Sequence, residues 1–276
     1  MEDAFDHVGY WSEIKLNIVK EYAVAYSTIL AGQKTPSLRH IYIDAFAGAG
    51  LHISRTTGDF IPGSPANALL VKPPFKEYHF IDLDGDKIGV LQSVVGDRTD
   101  VKIYNGDCNQ VLVSDVFPRC DYKKFARGLC LLDPYGLHLN WEVMYTAGRM
   151  GTIDMFLNFP VADMNRNVLW RNPDAVDPKQ ADRMTAFWGD NSWRQVAYDT
   201  SQNLFGWPGK QPNEIIAHAF RERLQKVAGF EYVPEPIPMR NSSNAIIYYL
   251  FFAAKKAAAA KIVQDIFDKY RNEGAN

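Results

Sequence analysis

The stretch HIYIDAFAGAG, residues 40–50, decides the fold of this chain. Its first part is rich in the β-branched and aromatic side chains that favour strands, and Gly48 and Gly50 then end the run in a loop. Further apolar runs follow at residues 78–83, 101–104, 128–132 and 153–159. Helical or glycine-rich segments separate most of these runs, so the sequence predicts an α/β fold in which a mostly parallel sheet carries helices on both faces.

The segments outside these strands complete the predicted domain. Over about residues 10–31 apolar side chains recur at intervals of three and four, which predicts an amphipathic N-terminal helix. Residues from about 160 to 211 set tryptophans among polar side chains, and we expect a helical insertion there. The strand-like runs 230–233 and 245–253 are joined by a connection too short for a helical crossover and should pair antiparallel. We expect residues 1–276 to form a single domain.

Composition and charge exclude several classes of protein. Of the 276 residues, 47% are hydrophobic and 22% are charged, which is typical of a globular protein and not of a disordered, collagen-like or coiled-coil chain. The 30 basic and 32 acidic residues give a net charge of −2. A protein that coats DNA is strongly basic, so we expect any contact with nucleic acid to be local.

The sequence predicts neither a membrane span nor a metal site. The longest apolar run, Ala245 to Ala254, is about half as long as a transmembrane helix. The acidic N-terminus lacks the positive charge and the apolar segment of a signal peptide, so we expect a cytoplasmic protein. The three cysteines have no C-x-x-C spacing and the histidines no H-x-x-x-H spacing, which argues against a disulfide framework, a zinc site and metal catalysis.

Chemically distinctive residues follow each predicted strand. In an open α/β sheet, ligands bind beyond the carboxyl ends of the strands, where such residues come together. In chain order these residues are Asp44, Phe46, Gly48 and Gly50; Asp82 and Asp84; Asp107 and Cys108; Asp133, Pro134 and Tyr135; and Asn158 with Pro160. We therefore expect the strand ends to form one site.

The glycine loop that ends at Gly50 lets a ligand approach the backbone closely, although glycine also closes ordinary turns. A dinucleotide-binding fingerprint needs a third small residue and a helix that starts directly after the loop. Position 53 is Ile, and the next helix start is Ser64-Pro65, with Ser64 as the expected N-cap. A phosphate-bearing ligand is therefore disfavoured, and the sequence contains no P-loop motif.

An acidic residue at the end of the second strand can hold a ribose, because a carboxylate accepts hydrogen bonds from both hydroxyl groups of a vicinal diol. Asp84 is best placed for this role and Asp82 is second. Either carboxylate could instead cap the following helix, and for Asp84 we favour the ligand. Asp107, which precedes Cys108, could accept from an adenine amino group or cap a helix, and the sequence favours neither role.

The motif from Asp133 to Gly136, Asp-Pro-Tyr-Gly, is the most specific feature of the sequence. The Asp133 carboxylate and the Pro134 carbonyl can both accept from one exocyclic amino group, which draws the nitrogen lone pair out of conjugation and directs it at an electrophile. Tyr135 can hold a planar substrate by stacking. Asp-Pro with a nearby glycine is also common in turns, but its place after a buried strand favours a catalytic site.

These motifs resemble those of class I S-adenosylmethionine-dependent methyltransferases, which have a Rossmann-like, mostly parallel seven-stranded sheet with an antiparallel last strand. More specifically, the chain is similar to the three-Cys-motif partner protein family over nearly its whole length. The segments that carry this similarity are Glu13-x-Lys15-Leu16, Tyr42 to Gly50, Gly63 to Pro65, Leu132 to Gly136, Phe159, Asp163 to Arg166 and Tyr248 to Phe252.

The resemblance implies a cofactor, S-adenosylmethionine, and a reaction. The residues that would contact its methionine end, its ribose and its adenine are, in that order, Asp44, Phe46, Gly48 and Gly50; Asp84; and Asp107 with Cys108. Asp133, Pro134 and Tyr135 would face the methyl acceptor. This chain has one proline where adenine-N6 and cytosine-N4 methyltransferases carry two, and the shorter motif is similar to that of tRNA guanine-N2 dimethyltransferases.

An exocyclic amine of a nucleic-acid base is therefore the expected acceptor. Contacts with RNA or DNA are expected from Arg166, Arg171 and Trp170, with Phe159 as a further stacking face beside Tyr135. Two alternatives remain open at this point: methyl transfer to a small molecule or protein, and a cofactor-binding module that serves a partner enzyme.

Overall fold

The computed structural model describes residues 5–199, 209–241 and 243–273. Its strands are β1 (Asp6–Val8), β2 (Arg39–Asp44), β3 (Leu51–Ser54), β4 (Phe60–Pro62), β5 (Glu77–Asp82), β6 (Val101–Asn105), β7 (Ala126–Leu132), β8 (Ile153–Phe159), β9 (Tyr198–Asp199), β10 (Gly209–Lys210), β11 (Ile237–Arg240) and β12 (Ile246–Ala253). Its α-helices are α1 (Tyr10–Gly32), α2 (Ser64–Leu69), α3 (Gly85–Val95), α4 (Cys108–Val111), α5 (Trp141–Met150), α6 (Val161–Asn167), α7 (Pro178–Trp188), α8 (Trp193–Ala197), α9 (Asn213–Arg223) and α10 (Ala257–Glu273).

Seven strands form the central sheet, in the order β11-β12-β8-β7-β2-β5-β6. Strand β12 runs antiparallel to both of its neighbours, and the strands from β8 to β6 pair in parallel. The α/β fold with a mostly parallel seven-stranded sheet and an antiparallel last strand is therefore confirmed. In such a sheet the carboxyl ends of the five parallel strands meet at one edge.

Both faces of the sheet are buried, as strand β2 illustrates. Ile41 and Ile43 belong to a core formed with helices α5, α7 and α9, whereas Tyr42 belongs to a second core formed with α1, α3 and α10. Side chains of a strand alternate between the two faces, so an unbroken apolar run is what a sheet covered on both sides requires. The result is a three-layered α/β/α arrangement.

The structure corrects the position of the strand that precedes β12. The sequence predicts a strand at residues 230–233, but within this run only Tyr232 forms a bridge, an isolated one with Ala254. The strand that pairs with β12 is β11, which contains Pro238. Proline has no N–H to donate, and an edge strand tolerates it because one side of its backbone needs no partner. Because this segment contains several prolines, its sequence is typical of a loop between strands.

A small second sheet, which the sequence did not predict, has the order β1-β3-β4. It joins the N-terminal segment to the hairpin that lies between β2 and α2. Helix α2 begins directly after this hairpin with Gly63, and not Ser64, in the N-cap position and Pro65 in its first turn. The expected N-cap role of Ser64 is therefore wrong.

The segment from residue 160 to 211 contains helices α6, α7 and α8 and the paired strands β9 and β10. Residues 200–208, with Trp207 among them, lie outside the described part of the chain. None of the helices that the structure describes is both long enough and apolar enough to cross a membrane.

Candidate functional site

Two adjoining cavities lie at the carboxyl ends of the parallel strands. The larger cavity, of about 460 Å³, has among its lining residues Gly48, Asp133, Pro134 and Asn158. The smaller cavity, of about 410 Å³, has among its lining residues Asp82, Asp107 and Cys108. Phe46 and Tyr135 line both cavities and thus mark the boundary between them.

The structure brings most of the residues singled out in the sequence to these cavities. Those that line one or both are Phe46, Gly48, Asp82, Asp107, Cys108, Asp133, Pro134 and Tyr135. Three of the predicted residues line neither cavity: Asp44, Gly50 and Asp84. The structure gives a different reason for the position of each.

The two carboxylates at the end of β5 have different surroundings, and Asp84 takes the N-cap role that the sequence left as its alternative. Asp84 is the N-cap of α3, and its Oδ1 accepts hydrogen bonds from the N–H groups of Asp86 and Lys87 at 3.0 and 3.3 Å. Asp82 lines the smaller cavity, and its Oδ2 accepts from the N–H of Gly48 at 2.7 Å. Asp82 is therefore better placed than Asp84 to meet a ribose.

The glycines of the loop after β2 serve different purposes. Both have positive φ, +60° for Gly48 and +80° for Gly50, which favours glycine. A Cβ on Gly50 would lie 2.8 Å from Cδ1 of Leu91, so Gly50 allows the loop to pack against α3. Gly48 instead borders the larger cavity, where a Cβ would meet only Oδ2 of Asp6, at 3.8 Å.

Asp44 is a fully buried carboxyl at the end of β2. Its Oδ1 accepts from the N–H of Phe46 at 3.3 Å, and its Oδ2 is buried without a hydrogen-bond partner. Burial raises the pKa of Asp44 to about 7, an effect that the hydroxyl of Ser64 and the N–H of Phe46 only partly offset. An incompletely paired carboxyl beside a glycine loop is typical of a functional site.

The residues after β6 combine two roles that the sequence could not separate. Asp107 is the N-cap of α4 and accepts from the N–H of Asn109 at 2.9 Å, yet it also lines the smaller cavity. Cys108 is buried beside it, and burial raises the pKa of its thiol to about 12. The thiol therefore stays neutral and offers a weakly polar contact in the wall of the cavity.

Asp133 contacts side chains from two other elements, helix α1 and strand β8. Its Oδ2 forms an ion pair with Nζ of Lys15, from helix α1, and its Oδ1 accepts from Nδ2 of Asn158 at 2.9 Å. Burial, the largest single effect, would lower the pKa of Lys15, but the charge and hydrogen bond of Asp133, together with Tyr248 and Asp44, raise it above its ordinary value. Lys15 is therefore protonated at neutral pH and balances the charge of Asp133.

The amide of Asn158 spans the two acceptors that the sequence assigned to a substrate amine. Its Nδ2 lies 2.9 Å from Oδ1 of Asp133 and 3.4 Å from the carbonyl oxygen of Pro134. One planar NH₂ group can thus reach both acceptors from the same side. The amide orientation is fixed because an oxygen in the place of Nδ2 would face the Asp133 carboxylate.

Tyr135 connects the motif to the small sheet. Its hydroxyl donates to Oδ2 of Asp6 at 2.7 Å, and Nζ of Lys87 donates to the same carboxylate at 2.8 Å. Burial alone would raise the pKa of Asp6, but hydrogen bonds from Lys87 and Tyr135 hold this pKa below its ordinary value. Because Asp6, His7 and Val8 line the larger cavity, strand β1 forms one of its walls.

Sequence reasoning missed the contributions of Asp6 and His52 to this site. His52, from β3, lines the larger cavity, and its Nδ1 is buried without a hydrogen-bond partner. Burial lowers the pKa of His52, so its imidazole is neutral at physiological pH. Both residues belong to the small sheet, whereas the sequence pointed to the strand ends of the central sheet.

The surface beside the larger cavity carries the residues expected to contact nucleic acid. Arg166 and Arg171 are exposed, and Trp170 is 40% exposed with its indole N–H bonded to the carbonyl of Arg166 at 2.8 Å. Arg166 follows Ala162, a cavity-lining residue, by four positions, so both lie on one side of α6. Phe159 is buried among other aromatic rings and offers no stacking face, which corrects that expectation.

In the described ranges, no group of three or more His, Cys, Asp and Glu side chains is arranged to hold a metal ion. All three cysteines, at positions 108, 120 and 130, are buried free thiols.

Comparison with known proteins supports the fold. No family model matches the sequence, and no curated protein matches it either. Among solved structures, the Legionella pneumophila protein LPL1258, a DUF519 protein, matches with a TM-score of 0.54 and 10% identity over 92% of this chain and 91% of that chain.

Two further similar structures come from named methyltransferases. N-methyltransferase NodS from Bradyrhizobium japonicum matches with a TM-score of 0.41 and 10% identity over 89% of this chain and 97% of that chain. Aeropyrum pernix fibrillarin, solved with bound S-adenosyl-L-methionine, matches with a TM-score of 0.36 and 10% identity over 86% of this chain and 76% of that chain. At these identities the likeness concerns the fold alone, which is Rossmann-like, as in class I methyltransferases.

Proposed function

We propose that the chain is an S-adenosylmethionine-dependent methyltransferase that acts on an exocyclic amine of a nucleic-acid base. The observation that carries this proposal is the placement of the Asn158 amide. Its NH₂ group lies within reach of both Oδ1 of Asp133 and the carbonyl oxygen of Pro134, which supports a role for these two acceptors in holding one planar amine. Asp133, Pro134 and Asn158 line a cavity that adjoins a second cavity lined by carboxylates, and a substrate amine would replace the Asn158 amide at the two acceptors.

The residues of the smaller cavity fit the adenosyl part of the cofactor. Asp82 supplies a carboxylate for the ribose hydroxyls, and Asp107 with Cys108 supplies a polar and a weakly polar contact for adenine. On the methionine side, Gly48 leaves the loop backbone open, and Asp44, buried behind this loop, holds it through the N–H of Phe46. The bound cofactor supplies a methyl group on a positively charged sulfur, which becomes a neutral thioether as the acceptor nitrogen gains the methyl and loses a proton.

The chain's own residues prepare the acceptor. Asp133 and the Pro134 carbonyl accept hydrogen bonds from the two amine hydrogens and so draw the nitrogen lone pair out of conjugation with the ring. Lys15 forms an ion pair with Asp133, and this carboxylate lies beside the proposed amine position, where it can take the departing proton. The Tyr135 ring, fixed by Asp6 and Lys87, offers a face on which a planar ring can stack.

We also propose that the chain is a member of the three-Cys-motif partner protein family and works beside a partner enzyme. The motif segments that suggest the family include Lys15, whose contact with Asp133 gives that N-terminal motif a role in the site. For nucleic acid, Arg166 near the end of α6 and Trp170 and Arg171 just after it form an exposed cationic and aromatic surface beside the larger cavity.

The first test supplies labelled cofactor with separate pools of tRNA, rRNA, DNA and cell extract, followed by digestion and mass spectrometry of the nucleosides. We expect a methylated base amine. Asp133→Asn should lower its formation by about 100-fold without changing cofactor affinity. Transfer only to small molecules or proteins would contradict the acceptor, and cofactor binding without any transfer would favour a module that serves a partner enzyme.

A salt series tests the nucleic-acid surface. Affinity for the substrate RNA or DNA should fall steeply with salt, and Arg166→Ala or Arg171→Ala should reduce the slope of log affinity against log salt by about one. Lys261→Ala, an exposed change on α10, should leave the slope as in the wild type. A flat salt response in all these proteins would refute the surface and leave the methyltransferase proposal intact.

A further inference from the structure

A separate cavity of about 280 Å³ lies at the amino-terminal edge of the sheet, away from the site described above. Helices α1 and α10 form its walls with Tyr22, Tyr26, Ile29 and Ile262, and the start of β8 forms its floor. Typical pockets for drug-sized ligands have about 300–1,000 Å³, so this cavity suits a compound with a single ring.

Two polar groups of the floor have hydrogen-bonding capacity left for a ligand. Thr152 is 4% exposed, and its hydroxyl is buried without a hydrogen-bond partner. Asp154 receives a hydrogen bond on Oδ2 from the hydroxyl of Tyr22 at 2.7 Å, and no described residue donates to its Oδ1. Burial raises the pKa of Asp154 to about 6, a cost in stability that packing alone does not explain.

The cations Arg127 and Lys255 beside the cavity form contacts with other groups, although the charge of Arg127 also lowers the pKa of Asp154 in part. The guanidinium of Arg127 stacks on Tyr122 at 4.7 Å and donates to the carbonyl of Ala126. Lys255 forms an ion pair with Glu231 at 2.6 Å. A ligand that enters the cavity therefore meets aromatic and aliphatic walls and, at the floor, the Thr152 hydroxyl and the Oδ1 atom of Asp154.

We propose that this cavity is a second binding site, which takes a small aromatic compound with an amine or amidine group. The ring lies between the side chains of α1 and α10, and the nitrogen donates to Oδ1 of Asp154 and to the Thr152 hydroxyl. A cationic nitrogen is also attracted to the faces of Tyr22 and Tyr26. The site is independent of the methyltransferase proposal, because none of its residues lines the cavities at the carboxyl edge.

The test uses benzamidine, benzamide and benzoate, three compounds of similar shape that are cationic, neutral and anionic at neutral pH. Titration calorimetry on the full chain should show saturable binding of benzamidine at one site, weaker binding of benzamide and none of benzoate. Asp154→Asn should weaken benzamidine at least tenfold, and Thr152→Val should weaken it several-fold. Asp265→Asn, which removes an exposed carboxylate from α10, is the matched control and should bind as the wild type does.

Other outcomes would overturn the proposal. If benzoate bound with the same affinity as benzamidine, the flanking cations and not Asp154 would dominate binding in the cavity. Equal benzamidine binding by wild type and Asp154→Asn would place the compound elsewhere, and absence of benzamidine binding to the wild type would remove the site. Urea denaturation of Asp154→Asn checks that the variant folds, and the comparison of the three compounds in the wild type does not depend on that variant.

Discussion

The buried carboxyl of Asp44 should make the protein less stable as pH rises from about 4 to about 7. Its pKa of about 7 in the folded chain lies above the ordinary value of 3.8, which we take for the unfolded chain. Between these two pH values the folded state therefore binds more protons than the unfolded state. The free energy of unfolding then falls with rising pH, and above about pH 7 the loss is complete.

The size of this effect follows from the shift itself. Each pKa unit corresponds to about 1.36 kcal/mol, and a rise of about three units makes Asp44 cost about 4 kcal/mol of stability at pH 8 relative to pH 4. Asp44→Asn carries no charge at any pH and keeps the shape of the side chain. We therefore expect the variant to equal the wild type near pH 4 and to exceed it by up to about 4 kcal/mol at pH 8.

Urea denaturation of both proteins at pH 4, 5, 6, 7 and 8 measures the difference. Asp154→Asn serves as a comparison, since Asp154 is also buried, with a pKa of about 6, but lies at the opposite edge of the sheet. It should show the same trend with a smaller amplitude and leave cofactor affinity unchanged, whereas Asp44→Asn should weaken cofactor binding at pH 8. A difference between wild type and Asp44→Asn that stays constant with pH would refute this account of Asp44.

Two further predictions concern the contacts of the site. Asp82→Ala should weaken cofactor affinity at least tenfold in calorimetry. Asp84→Ala should leave this affinity unchanged and cost about 1 kcal/mol of stability, because it removes only a helix N-cap. Equal cofactor affinities of the two variants would contradict the ribose role of Asp82. Lys15→Met should cost about 2–3 kcal/mol in urea denaturation because it leaves Asp133 without its cation, and Lys20→Met, exposed on the same helix, should stay within about 0.5 kcal/mol of the wild type. A loss as small as that of Lys20→Met would show that the ion pair is immaterial to the fold.

The sequence predicted well what depends on short-range pattern. Continuous apolar runs rich in β-branched and aromatic residues located the five parallel strands to within two residues, and the known geometry of such sheets then placed Asp82, Asp107 and Asp133 at one edge. Where two roles share one spacing, the sequence could not decide between them. Asp82 and Asp84 both follow β5, and only the direction of the chain after the strand shows which carboxylate caps α3 and which faces the cavity.

The contributions of α1 to the site could not be read from local pattern, because its partners are distant in the sequence. Lys15 pairs with Asp133, 118 residues away, and Tyr22 donates to Asp154, 132 residues away. The periodicity showed only that one side of the helix is apolar, and a lysine beside that side usually reaches solvent. Strand β8 repeats the arrangement, with Asn158 bonded to Asp133 and Asp154 bonded to Tyr22. Polar contacts thus connect helix α1 to strand β8 near both ends of the strand. These contacts hold Lys15 and Asn158 against the same carboxylate, that of Asp133.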